Sequence, residues 1–297
     1  MLGTAKKKKK KGFLQKIEPF FYLAPLFFIF SVFLYFPMVR TIVMSLSIVN
    51  SMGVIVSFAG LENYIELLTD TVTFWPSVLL TFRFVLMVVP AQIAVGVFLG
   101  LLAENRLKKS SPLRVIYALP MAVSSACASV IMVFLFNPAT GLINYIFKIQ
   151  FNWSGNGSLA LIMIAITTVW LTMGTNFIYA YSGLQGIPSE LYESASIEGA
   201  NFFQTLWHII LPSISPTLFF LLITNTIGAF QTFTLVNVMT AGGPGTSTRV
   251  LAYTIYREAF INTRWGYACA QSMVFMLILL TISLIQFRIE RKGVHYQ

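Results

Sequence analysis

The sequence predicts an all-α integral membrane protein, a bundle of six transmembrane helices with both termini in the cytoplasm. Composition is the first ground: 57% of the 297 residues are hydrophobic and 10% are charged, whereas soluble domains are about a quarter charged. A soluble monomer has no means of hiding that much apolar surface. The second ground is length, since a hydrocarbon core about 30 Å thick takes roughly 20 apolar residues per helical crossing. Six runs reach it, at about 20–46, 76–103, 115–136, 158–181, 213–239 and 266–288. The third is charge. The net charge of +10 does not form a patch suited to nucleic acid; the basic residues sit beside the ends of apolar runs, which is membrane topology. With the N-terminus inside, residues 6–11, Lys16, Arg106, Lys108, Lys109, Arg114, Arg288, Arg291 and Lys292 are cytoplasmic, and Lys148, Arg249, Arg257 and Arg264 are outside.

Residues 1–19 read as a basic cytoplasmic segment. The lysines before the first run resemble a secretory signal, but the apolar stretch is too long and no small-residue cleavage site follows, so it is read as a retained span. Its lysines suit the anionic lipid headgroups of the inner face. In the outer loop 47–75, Leu61, Tyr64, Ile65 and Leu68 share one side of a short amphipathic helix over 60–70, placed at the outer interface. The second span carries Arg83 about two turns from its outer end, where a lone cation must snorkel, pair or touch solute. Gly96 and Gly100 later in that span, and the small residues 122–129 in the third, permit close backbone approach within the bundle. Pro25, Pro37, Pro90, Pro120 and Pro216 predict kinked helices.

Asn137, Pro138, Gly141 and Gly155-Asn156-Gly157 are turn formers in the next outer loop, as are Gly242-Gly243-Pro244-Gly245 after the fifth span. The latter glycines do not form a phosphate loop, because no strand precedes them and no Lys-Ser or Lys-Thr follows. Cys127 and Cys269 lie among small apolar residues and read as packing residues, with neither disulfide nor metal-ligand spacing. Residues 289–297 form a cytoplasmic tail.

One inner loop, 182–212, breaks the charge trend, having no Lys or Arg but Glu190, Glu193 and Glu198. It is too polar to span and too patterned for a linker. Pro188-Ser189 starts a helix, with Ser189 placed to cap it and Glu190 and Glu193 complementing its positive end. Gly199 stops it, since glycine takes the left-handed conformation readily. Asn201 with Gln204 reads as a second cap, followed by an amphipathic helix carrying Phe203, Leu206, Trp207 and Ile210. Two short cytoplasmic helices thus meet at a glycine elbow.

Glu193-Ser194-Ala195, then Gly199, then Ile209-Ile210-Leu211-Pro212 resembles the EAA loop of ABC importer permeases, with Ser194 where alanine is usual. Similarity extends through residues 60–64, 136–138, 141–144, 242–244 and 255–260, toward the sugar and glycerol-phosphate branch; the tail 294–297 is similar to that of glycerol-3-phosphate permeases. The resemblance implies a type I importer permease fold in the cell membrane. It implies that Glu190, Leu191, Tyr192, Glu193, Ser194, Ala195 and Gly199, with Ile209, Leu211 and Pro212 behind them, couple the bundle to a separate ATPase. Leu191, Tyr192 and Ala195 suit a groove on that partner. The implied assembly adds a second homologous permease, two ATP-binding subunits that hold ATP and Mg, and an extracytoplasmic solute-binding protein.

The chain itself shows no Gly-Lys-Ser or Gly-Lys-Thr, no cofactor or metal set, and no nucleophile with a base, so it is expected to be non-catalytic. Polar groups inside apolar spans tend to face the interior, which singles out Thr172, Thr175 and Asn176 in the fourth span. In the fifth they are Asn225, Gln231, Thr232 and Asn237, with Phe230 and Phe233 beside Gln231. Amides, hydroxyls and aromatic faces suit a sugar, and the resemblance places Thr172, Thr175, Gln231 and Thr232 near solute; the same groups can also bond helix to helix. A stand-alone secondary transporter or channel is the other reading, but it would use intramembrane carboxylates, and no Asp or Glu lies within the spans.

Overall fold

Each apolar run becomes helix, though two of them do not form single rods. The computed structural model describes residues 13–106 and 111–293, with side chains described over 22–104 and 114–290. The basic residues at 6–11, Lys108, Lys109 and the tail 294–297 lie outside the described residues.

The first span is α1 (Phe13–Phe30), a π-helical turn (Ser31–Tyr35) and α2 (Phe36–Ser45). Its most apolar 18-residue stretch is wholly unburied. Only the end of α2 joins the bundle, where the Ser45 hydroxyl lies 2.8 Å from that of Tyr64 and Asn63 Nδ2 donates to the Ser45 carbonyl at 3.0 Å. An antiparallel hairpin, β1 (Ser47–Val49) with β2 (Ile55–Phe58), follows; it was not expected, because its turn carries only Gly53 as a signal. Then comes α3 (Glu62–Thr69), inside the stretch read as an amphipathic helix.

The second span, α4 (Phe74–Arg106), runs unbroken through Pro90. Asp70 caps it by accepting from the Thr73 amide at 2.7 Å and from the Tyr267 hydroxyl at 2.7 Å. The third run is broken: α5 (Ser111–Ala118) passes through a 3-10 turn (Leu119–Ala122) containing Pro120, and α6 (Ser125–Leu135) leaves at 104°. Pro120 cannot continue the hydrogen-bond ladder, Val123 and Ser124 are extended, and the Ser124 hydroxyl caps the new helix at the Cys127 amide, 3.3 Å away. Cys127 is exposed and Cys269 half-buried, so the expected packing role fails for Cys127: it stands on the outward side of α6's first turn.

After α7 (Leu142–Phe147), the fourth span α8 (Gly157–Gln185) packs along α4, and inner helices α9 (Ser189–Ile197) and α10 (Phe202–Thr205) follow. A π-turn (Leu206–Ile210) and α11 (Leu211–Ser213) lead, after a 71° bend, into α12 (Ser215–Phe230). Pro216 opens α12, where its missing N–H costs nothing, and so does not kink it. The fifth run then breaks at residues 231–233 before α13 (Thr234–Met239). Beyond a turn over 240–250, α14 (Leu251–Tyr256) and a π-turn (Arg257–Ile261) precede the last span, α15 (Trp265–Gly293). Among the described residues four helices are long and apolar enough to cross a membrane, or up to six if each bent pair counts as one span.

Cysteine labelling from outside checks the orientation that the lysine and arginine distribution sets. In a background lacking Cys127 and Cys269, Lys148→Cys is expected to label in intact cells and Ser196→Cys only after permeabilisation; the reverse pattern would invert the topology.

Candidate functional site

The loop between α8 and α12 is built by its own caps. Pro188 precedes α9 and Ser189 is the first helical residue, with no side-chain cap, so Ser189 does not take the capping role expected of it. Glu190 lies in the first turn, where a carboxylate complements the helix dipole. At the other end Gly199 has φ +71°; its amide donates to Ser196 O at 3.1 Å and the Ala200 amide to Ala195 O at 2.9 Å. Those two bonds are a Schellman motif, which needs a left-handed residue at that place. Asn201 and Gln204 form a reciprocal capping box, at 2.9 Å and 2.8 Å.

The α9 side chains divide into two sets. Ala195 is buried and Tyr192 half-buried against the bundle, so these two do not face a partner groove, contrary to the expectation from their apolarity. The Tyr192 hydroxyl donates to Glu104 Oε1 at 3.3 Å. Burial, with the charge and hydrogen bond of Glu104, pushes the phenol up to about 12, so it remains a donor at physiological pH. Glu190, Leu191, Glu193, Ser194, Ile197 and Glu198 are exposed. Ile197, not singled out in the sequence because helical spacing alone does not separate it from a core residue, is 87% exposed. Ile209, Leu211 and Pro212 are half-buried, while Ile210 is buried with Ile187, Ile214, Val97, Ala180 and Leu184, which fastens the loop to α4 and α8. Between the two short helices lies a cleft of about 460 Å³ that includes Leu191, Ser194, Glu198, Gly199 and His208.

The residues singled out for a solute path divide between helix-to-helix bonds, core contacts and exposed positions. Thr172 Oγ1 accepts from Gln92 Nε2 at 3.0 Å and donates to Thr168 O at 2.9 Å. Asn176 and Asn225 exchange amide bonds at 2.6 Å and 3.3 Å. These three fasten α4, α8 and α12, the helix-to-helix alternative. Phe230 is buried and meets Phe82 edge-on at 5.2 Å, a core contact. Thr232 is buried, with a 3.4 Å bond to Gly228 O. Thr175 and Gln231 are exposed, and Phe233 is half-buried against Tyr256 at 4.8 Å. Gln92, fully buried in α4, was missed: amides in apolar helices are found by type, but partners are not. Arg83 is exposed and forms no ion pair among the described residues.

Residues 18–292 match the family of binding-protein-dependent transport system inner membrane components. The chain belongs to that family. It is a permease subunit of a binding-protein-dependent ABC importer in the inner membrane, and it is non-catalytic, ATP hydrolysis lying in partner subunits. The chain is similar to the sn-glycerol-3-phosphate transport system permease protein UgpA of Agrobacterium fabrum, 33% identical over 244 residues, 81% of this chain and 83% of that one. With UgpA of Shigella flexneri the identity is 36% over 247 residues, covering 81% and 82%. The fold is similar to a chain of a bacterial ABC transporter involved in the import of the acidic polysaccharide alginate, with TM-score 0.81 at 21% identity over 94% of this permease and 97% of that chain. It is also similar to the MetNI methionine ABC transporter, with TM-score 0.55 at 16% identity over 79% and 99%.

Proposed function

We propose that this permease forms half of the path for a carbohydrate-type solute (sugar, oligosaccharide or glycerol-3-phosphate), paired with a second, similar permease. Two ATP-binding subunits and an external binding protein complete the assembly. The observation that carries this reading is the first span. An 18-residue apolar stretch with nothing buried against its own chain leaves most of the first span free to pack on a second permease, only the end of α2 joining this bundle, and with the exposed Thr175 and Gln231 it makes this chain one side of a path. The exposed face of α9 and its C-cap, with Glu190, Glu193 and Glu198 beside Leu191 and Ile197, is the surface for the ATPase. An acidic helix without lysines suits a protein groove better than an anionic leaflet. The names of the UgpA relatives support glycerol-3-phosphate within the solute class, and Arg83 is a cation able to meet its charge.

The test is transport by the reconstituted assembly, with wild-type complex yield required. Gln231→Leu removes an amide without removing volume and is expected to slow transport about tenfold, the worth of one hydrogen bond of about 1 to 1.5 kcal/mol. Normal rates for Gln231→Leu and Phe233→Ala alike would move the solute site elsewhere. Arg83→Gln is expected to weaken glycerol-3-phosphate transport more than it lowers protein level; equal losses of both would remove Arg83 from the path.

A further inference from the structure

We infer that the hydrogen bond from Tyr192 to Glu104 is the link through which the coupling helix moves the inner end of the bundle, making these two positioning residues for transport. The inference rests on the reading above, in which α9 docks on the ATPase. Buried apolar residues, Ile187, Ala195 and Ile210 among them, make up much of the attachment of α9 and its flanks to the bundle. Apolar contact is non-directional. A hydrogen bond is directional, and this one, at 3.3 Å, is long for a hydroxyl donor, so it orients the two groups more than it clamps them. Tyr192 and Glu104 are 88 residues apart in sequence, and joining them ties α9 to the last turns of α4.

Movement at Glu104 has somewhere to go. Gly96 and Gly100 hold α4 against α8, and Gly174 of α8 lies against the 3-10 break of the third run, where an added Cβ would come within 2.8 Å of Ala118 O. Glu104 also lines a polar cavity of about 550 Å³ with Arg114, Tyr181 and Gln185. Arg114 belongs to α5, the inner half of the broken run, and its guanidinium lies 4.8 Å from the Tyr181 ring centre. Gln185 Nε2 donates to Tyr181 Oη at 2.9 Å. Three membrane segments therefore converge on one polar cavity, and the coupling helix reaches its edge through the Tyr192 bond to Glu104. Close-packed cores resist displacement; side chains around a polar cavity can shift.

The experiment uses the reconstituted assembly in vesicles, comparing Tyr192→Phe, Glu104→Gln and the double variant. The readouts are the ratio of solute-stimulated to basal ATP hydrolysis and the solute moved per ATP. Tyr192→Phe deletes one hydroxyl and keeps the ring, so complex yield should stay near wild type while the stimulation ratio falls several-fold. Because both residues serve one bond, the double variant should be no worse than the poorer single. A wild-type ratio in Tyr192→Phe, or losses that follow complex yield alone, would overturn the inference. Should Glu104→Gln fail to assemble, Tyr192→Phe still decides. If Gly199→Asp uncouples the assembly and Tyr192→Phe does not, the link is wrong and the docking role of α9 stands; if neither uncouples it, that role falls as well.

Discussion

Replacing Gly199 by aspartate is expected to abolish transport and the response of ATP hydrolysis to loaded binding protein, while the chain still inserts and assembles. The cause is backbone, not bulk. A Cβ at Gly199 would meet nothing within 4 Å, but φ is +71°, and a left-handed L-residue costs roughly 1 to 2 kcal/mol. Both Schellman bonds depend on that conformation. An isolated helix shorter than about 12 residues is marginal by itself, and α9 has nine, so a penalty of this size frays its last turn. Aspartate also sets a carboxylate beside Glu198. Gly199→Asn removes the charge and keeps the backbone cost, since asparagine and aspartate enter the left-handed region about equally, so it should lose coupling in the same direction as Gly199→Asp, and less of it by the share the added carboxylate contributes. More than tenfold loss of stimulation in Gly199→Asp is the expected measurement, in proteoliposomes holding the second permease. Glu193→Lys should act in the same direction but more weakly, as a helix-end charge is worth about 0.3 to 1 kcal/mol. Wild-type stimulation in Gly199→Asp would show that this elbow is not the coupling element.

What the sequence makes legible follows from how local each cause is. The elbow could be read residue by residue because φ at Gly199 and the Asn201–Gln204 box depend on four or five consecutive residues. The breaks at Pro120 and at residues 231–233 were harder. Proline predicts a disturbed helix, but whether it bends slightly, as α4 does not even at Pro90, or turns through 104° depends on what lies alongside. For the third run that neighbour is Gly174 of α8, which admits the Ala118 carbonyl. The hairpin at residues 47–58 was missed because its strands have three and four residues, below the length at which alternation can be counted. Of the residues assigned to a solute path, Thr172 and Asn176 proved to be bonded to other helices, and Phe230 to be core. Residue type reveals that a polar group must be satisfied inside a span; only geometry shows by what.

The Gly96 contact provides the largest structural effect. At Gly96 an added Cβ would lie 2.5 Å from Asn176 Cβ and 2.9 Å from the Asn176 carbonyl carbon, and four residues on, one added at Gly100 would lie 3.3 Å from the Tyr181 amide nitrogen. Alanine at a helical glycine normally gains about 1 kcal/mol of helix propensity. Here the clash involves backbone and Cβ, which no rotamer change relieves, and overpacking of this kind costs about 1 to 3 kcal/mol or more. The clash therefore wins even for Gly96→Ala. For Gly96→Leu, α4 and α8 must part. Parting them strains the 3.0 Å bond from Gln92 to Thr172 and the Asn176–Asn225 pair, leaving amides unsatisfied in a medium without water. Gly228 on α12 provides the contrast, since a Cβ there would meet nothing within 4 Å of this chain. In detergent, Gly96→Leu is expected to lose most of the assembled complex on size exclusion, and Gly96→Ala to lower its melting temperature by several degrees. Gly228→Leu should leave the permease folded. A Gly96→Leu complex of wild-type yield and melting temperature would show that α4 and α8 do not meet at this glycine.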